Sequence, residues 1–293
     1  MNATSGIRTL QQVVQAVPTT DGAGVKLRRS LGRSQGLRLD PFLMLDEFSS
    51  DDANDYIAGF PAHPHRGFET VTYLLDGHML HEDHLGHRGD LRSGGVQWMT
   101  AGRGIIHSEM PQQEHGRMRG FQLWINLPAR EKMKAAGYRD IQSDEIPVVS
   151  LAGGGRVKVI AGTLELDGRS TPGPIRGLTT DPLYLDVALP VGATFSHPIR
   201  QDYNAFVYPY EGSISVGRSD SERVLETHSA GVLSAGDRIE VTAVAGRARL
   251  LVLAGRPLNE PVVQYGPFVM NTREEIEQAV ADYQSGELTR PAA

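Results

Sequence analysis

Along most of the chain, short runs rich in Val, Ile, Leu, Tyr and Phe are broken by small clusters of glycine and proline. That rhythm predicts many short strands joined by turns, as in sandwiches and barrels. The clearest runs are ETVTYLLDG at 69–77, FQLWINL at 121–127, RVKVIAG at 156–162, LYLDVAL at 183–189 and ARLLVLAG at 248–255. Helical periodicity is scarce. In NTREEIEQAVADYQSG, Thr272 and Glu275 have capping-box spacing, acids fill the first turn, and Ile276, Val280 and Tyr283 make an apolar stripe that ends near Gly286. A second short helix is expected over PAREKMKAAG, 128–137, stopped by Gly137. The stretch IQSDEIPVV that follows is polar before it turns apolar, and the domain boundary is placed there, giving domains 1–140 and 141–293.

A weak internal repeat organises these runs. ETVTYLLDG ends at Gly77 and NAFVYPYEG ends at Gly212, 135 residues later; TAGR begins at 100 and SAGD at 234, an offset of 134. A strand, an acidic-glycine turn and a later small-residue turn thus recur at nearly constant separation. The expectation is two copies of one β-barrel.

Composition narrows the chemistry. The chain has 293 residues, 33 of them glycine and 17 proline, and a net charge of −6, with no basic run that would form a nucleic-acid surface. It contains no cysteine, which removes disulfides, zinc fingers, iron–sulfur clusters and thiol nucleophiles. Any metal must be held by histidine and carboxylate. The N-terminal stretch MNATSGIRTLQQVVQAVP has no charged head followed by an apolar run, and no window approaches the roughly 18 apolar residues of a membrane span. A cytoplasmic protein without a membrane anchor is expected.

The candidate chemistry sits in AHPHRGFET, 62–70, and GRGIIHSEMP, 102–111. In an extended strand, side chains two apart share a face, so His63 and His65 point together and Pro64 points away. Proline there suits a strand edge or start, where its missing N–H is not needed. His107 and Glu109 form a second such pair. Two pairs on neighbouring strands would supply three imidazoles and a carboxylate, a shell suited to a divalent transition metal with open positions for substrate, water or dioxygen. Glu69 has even spacing from His63 and His65, so it too is expected on their face. His78, His81, His84 and His87 recur every third residue, but two glycines and the flanking strand pattern favour a hairpin whose histidines are solvated. The glycine run AGGGR at 152–156 lacks a nucleotide-loop pattern and precedes a strand, so it reads as a turn.

These motifs carry a resemblance. The HxHxxxE spacing followed by a Gly-x-Gly-x-x-His turn is similar to the two motifs of the cupin superfamily, and HPHRGFETVTYLLDG, GGVQWMTAGRGIIHSEMP, FQLWINLP and YGPFVMNTREEIEQAVADYQSG resemble the pirin family from about residue 38 to 286. The resemblance implies an all-β fold of two tandem cupin barrels, jelly-roll double-stranded β-helices, with a short C-terminal helix. It implies one metal per chain, iron before other divalent ions, held in the N-terminal barrel by His63, His65, His107 and Glu109, with Glu109 also acting in catalysis. The general cupin pattern nominates Glu69 instead; the pirin pattern is followed, and Glu69 is kept as a partner that orients an imidazole. His81 and Asp83 resemble a recurring HxD feature of the family and are therefore the expected exception to the solvated reading of that hairpin. In the second copy, an offset of 135 carries the first pair onto Pro198 and Arg200, and 134 carries the second onto Val241 and Ala243. None is a transition-metal ligand, and His197, one position off, is read as structural.

The implied activity is that of a dioxygenase opening the heterocyclic ring of a flavonol such as quercetin with dioxygen, releasing carbon monoxide and leaving a depside. Glu109 would take or share the flavonol proton, and Phe68 and Trp98 are candidates for an aromatic pocket. The alternative is a non-enzymatic iron-binding protein that reports redox state and contacts a regulatory protein partner, with another cupin reaction at a divalent ion as a third reading. A monomer is expected.

Overall fold

The computed structural model describes residues 6–218 and 223–290. Within them the chain is built almost entirely of strands, with one α-helix, α1, at Arg273–Ser285. No helix among the described residues is long and apolar enough to cross a membrane.

Two compact units share the chain. One takes the segment ending at Val17, residues 33–41 and residues 144–257; the other takes residues 18–32, 42–143 and the segment beginning at Leu258. The change near residue 144 lies close to the boundary read from the sequence, but the terminal segments are exchanged. The strand Leu10–Gln15 pairs antiparallel with Ser229–Leu233, while α1 packs Ile276 and Ala279 against Phe268, Met270 and Leu288 beside the first barrel's strands.

Each unit pairs a seven-stranded sheet with a four-stranded one. In the first barrel the small sheet runs Phe60–His65, Ile105–Pro111, His78–Asp83, Arg88–Arg92. Within its large sheet, Phe68–Asp76 lies between Val96–Thr100 and Met118–Asn126. The second barrel repeats this order with Thr194–Pro198, Arg238–Ala243, Ile214–Val216 and Arg223–Leu225 in the small sheet, and with Asn204–Glu211 between Ser229–Leu233 and Ala248–Gly255 in the large one. The chain is therefore two tandem cupin barrels with a short C-terminal helix, as the repeat and the resemblance imply.

The register of the two copies corrects one expectation. Ile105 and His107 pair with His65 and His63, and Ile239 and Val241 pair with His197 and Phe195. The counterparts of His63 and His65 are thus Phe195 and His197, not Pro198 and Arg200. The turn between the two strands concerned is three residues longer in the second copy, so an offset taken from the later strand fails for the earlier one. The same register makes Val241 and Ala243 the counterparts of His107 and Glu109. Phe195, Val241 and Ala243 belong to the buried apolar core of the second barrel. Burial of a phenylalanine or valine side chain contributes about 1.5–3 kcal/mol, so this barrel is stabilised where the first is occupied by polar side chains.

The C-terminal helix forms as its pattern predicts. Thr272 and Glu275 make the reciprocal capping box, and Gly286 ends the helix in the left-handed region at φ 77°. The helix expected at 128–137 does not form. Only the 3-10 turn Ala129–Glu131 is present, and Gly137 opens a strand, Gly137–Ile141. The chain leaves the helical path because Lys132 is drawn inward, where its Nζ donates to Gly67 O at 2.7 Å, Asn126 Oδ1 at 2.7 Å and Val269 O at 2.9 Å. Burial lowers the Lys132 pKa to about 7. Gly67, the turn between the two strands that carry His65 and Phe68, has φ 90° and lies so close to Val269 O that no side chain fits.

Candidate metal centre

His63 and His65 lie on Phe60–His65, and His107 lies on the adjoining antiparallel strand Ile105–Pro111, directly opposite His63. Strand alternation turns Ile105, His107 and Glu109 inward. The three imidazoles each offer a ligand atom, and these atoms lie within 4.8 Å of one another; His63 is half-buried and the other two are buried. Ring centroids are 4.4 Å apart for His63 and His107 and 5.0 Å for His65 and His107.

The nitrogens are arranged for a cation. Nδ1 of His63 lies 2.8 Å from the Pro61 carbonyl, which can only accept, so Nδ1 carries the proton and Nε2 carries a lone pair. Nε2 of His107 is buried with no hydrogen-bond partner. Burial and the neighbouring imidazoles hold the pKa values of His65 and His107 well below the ordinary 6.5, so both are neutral. Clustered imidazoles, one of them with an unshared, desolvated lone pair at His107 Nε2, are a donor set that fits a divalent transition ion, and His63, His65 and His107 would hold it.

Glu109 is brought into the same interior and is buried. Its Oε1 accepts from Thr72 Oγ1 at 2.8 Å and its Oε2 accepts from Gln122 Nε2 at 2.8 Å. Gln122 in turn accepts from Trp124 Nε1 at 3.4 Å. Thr72, Gln122 and Trp124 escape a reading of the sequence, because they reach the centre through the pairing of Phe68–Asp76 with Met118–Asn126, in which Thr72 faces Gln122 and Thr70 faces Trp124.

Glu69 does not share the face of the histidines. It lies beyond the Arg66–Gly67 turn, on the strand that carries Thr72, at an odd spacing from Thr72 and therefore on the opposite face. Its carboxylate accepts from Thr100 Oγ1 at 2.6 Å, burial raises its pKa, and no imidazole touches it. The expectation that Glu69 orients a ligand is thereby corrected. Trp98 pairs with Val71 and lies on that same outer face. Phe68 is placed as expected, 5.1 Å from His65 by ring centroids; the indole beside it is Trp124, 4.3 Å from Phe68 and 5.3 Å from His65.

The run of four histidines is the hairpin expected of it, His78–Asp83 pairing with Arg88–Arg92. His78 pairs with Asp90 at its exposed edge. His81 is not solvated: it is buried at 1% exposure, with Nδ1 3.3 Å from Nδ1 of His107.

A two-barrel cupin with a three-histidine cluster in the first barrel is the class that this fold and site define. The chain matches the Pirin family model over residues 24–125 and the Pirin C-terminal cupin domain over 184–289. It is 52% identical over 280 residues to a pirin-like protein of Caulobacter vibrioides, covering 96% of this chain and 99% of the relative. Human pirin is 45% identical over 268 residues, covering 91% and 89%. The solved structure of a quercetin 2,3-dioxygenase from Acinetobacter baumannii superposes with a TM-score of 0.86 at 32% identity, over 97% of this chain and 99% of that one. The chain belongs to the pirin family.

Proposed function

We propose that this protein is a metal-dependent dioxygenase that opens the heterocycle of a flavonol such as quercetin, with one iron(II) ion per chain held by His63, His65 and His107 and with Glu109 as the fourth protein group of the centre. The observation that carries this reading is the convergence of three imidazole ligand atoms within 4.8 Å inside the barrel. It is supported by the similarity to a quercetin 2,3-dioxygenase of known structure. When bound, the ion supplies Lewis acidity toward the hydroxy-ketone of a flavonol and redox capacity for dioxygen chemistry.

The protein groups divide the remaining work. Thr72 and Gln122 hold both oxygens of Glu109 by donating to them, so the carboxylate presents a fixed acceptor for the flavonol 3-hydroxyl proton. Phe68 and Trp124 offer aromatic faces beside His65 for a planar substrate. Half-buried His63 marks the open side of the cluster. The overall reaction consumes one dioxygen and releases one carbon monoxide with the depside.

The test is loss of quercetin absorbance by the iron-loaded chain under air and under nitrogen, before and after chelation. Turnover that needs both oxygen and metal is expected. Full activity in stripped protein or without oxygen rejects the reading, and stoichiometric metal binding with no turnover favours the regulatory alternative.

A further inference from the structure

We propose that Asp83 and His81 form a proton-ordering chain behind the metal centre that fixes the tautomer of His107, so that its Nε2 is presented as a lone pair to the ion. The proposal rests on the metal-centre reading above.

Nδ1 of His81 lies 3.3 Å from Nδ1 of His107, and Nε2 of His81 lies 3.4 Å from Oδ2 of Asp83. The Asp83 side chain is fully buried, and it accepts from Leu85 N at 2.9 Å, His87 N at 3.1 Å and His87 Nδ1 at 2.8 Å. A carboxylate so supplied with donors can only accept, so the proton between Asp83 and His81 sits on His81 Nε2. Neutral His81 then has a bare Nδ1, and the proton between the two imidazoles must belong to Nδ1 of His107. That leaves Nε2 of His107 without a proton, and this is the buried nitrogen that has no protein partner. One direction of hydrogen bonding therefore runs from His107 through His81 and ends on the Asp83 carboxylate, so the chain starts at the imidazole that would hold the ion. His81 is kept in its plane by Tyr138, whose ring stacks on it at 4.2 Å and 15°. Tyr138 fits because position 89 is glycine; any side chain there would meet its hydroxyl.

The second barrel supplies an internal comparison. Glu109 and His107 pair with His81 and Asp83 across the small sheet, and Ala243 and Val241 pair with Ile214 and Val216. Where the counterpart of His107 is Val241, the counterparts of His81 and Asp83 are Ile214 and Val216, all three within the apolar core. The three polar residues of the chain are thus present together in one copy and replaced together in the other. A buried histidine and aspartate kept only for packing would have no reason to track the ligand. Partners of this kind, which hold the far nitrogen of a ligating imidazole, typically change metal affinity about 10- to 100-fold when removed.

Two measurements on the full chain test this. In long-range 1H–15N correlation spectra of the metal-free protein, His107 is expected as the Nδ1–H tautomer and His81 as the Nε2–H tautomer; His107 found mainly as Nε2–H overturns the proposal whatever the protein binds. In competition against a chelator, with Co(II) as the probe, Asp83→Asn and His81→Leu are each expected to weaken binding about 10- to 100-fold. The double variant should be no weaker than His81→Leu, because both act through one chain, and His78→Asn at the hairpin edge should bind like the parent. Parent-like Co(II) binding by both single variants, or strictly additive losses, overturns the proposal. Absence of Co(II) binding by the parent sinks the metal-centre reading, and the proposal with it. Should His81→Leu fail to fold, the near-isosteric Asp83→Asn and the tautomer of His107 decide the matter.

Discussion

Nε2 of His63 lies 3.0 Å from Nε2 of His65, two ring nitrogens aimed at each other across strand positions that alternate past Pro64. The Pro61 carbonyl fixes the proton of His63 on Nδ1, so in the metal-free pair it is His65 Nε2 that donates. A cation held by the pair would displace that proton. His63→Ala and His65→Ala should therefore each lower metal retention by at least about 100-fold, beyond the usual loss of an indirect partner. Elemental analysis after gel filtration checks this, with about one ion per chain expected in the parent and two tightly bound ions excluding the assignment.

Glu109 and Glu69 should separate cleanly. Glu109→Gln keeps the shape but removes the acceptor held by Thr72 and Gln122, and quercetin turnover is expected to fall about 100-fold or more. Glu69→Gln, on the other face of its strand, should keep turnover within about threefold, since the chemistry does not touch it. Steady-state assays of folded, metal-quantified samples decide between them. An inactive Glu69→Gln with an active Glu109→Gln would restore the general cupin assignment.

Gln122→Leu leaves Oε2 of Glu109 without its donor in a buried site, a loss of about 1–3 kcal/mol for a charge-assisted bond. We expect kcat to drop about tenfold or more while Co(II) affinity changes little. Equal losses in both would mean that Gln122 supports the ligands rather than the carboxylate.

His197 gives the pH prediction. Burial lowers its pKa from the ordinary 6.5 to about 4, and its Nε2 accepts from Glu165 N at 3.0 Å, a bond that protonation breaks. Between those two values the unfolded chain holds more protons than the folded one, so stability is lost as pH falls from 6.5 towards 4 and the contribution is flat outside that window. The full shift corresponds to about 3 kcal/mol as an upper bound. Denaturant midpoints of the parent and His197→Gln, measured from pH 7 to 4, should converge in slope outside the window and differ within it.

The three-histidine cluster is legible because strand alternation is local: HxH and HxE each place two side chains on one face without knowledge of any partner strand. Glu69 breaks the pattern for the same reason, since its spacing from the histidines spans Gly67, where the chain turns and the alternation restarts. Thr72, Gln122 and Trp124 depend on the register of two strands about 50 residues apart, which pattern alone does not give. The two-barrel repeat was readable from turn residues, but a longer turn in the second copy shifted its first strand and concealed that His197 occupies the place of His65.

The exchange of terminal segments makes the duplication impossible to undo by scissors. A fragment ending at residue 140 would keep the strand Leu10–Gln15 while losing its partner Ser229–Leu233. It would also lose Val269, whose carbonyl meets Lys132 Nζ, and Asp282, whose carboxylate lies 2.7 Å from Arg66, the neighbour of His65. The complementary fragment would carry α1 without Arg66, the partner of Asp282. The two halves repeat one strand order, yet as polypeptides they are an interleaved pair: proteolysis or truncation at either end reaches the opposite barrel, and swapping one barrel between family members requires moving three separate stretches of chain.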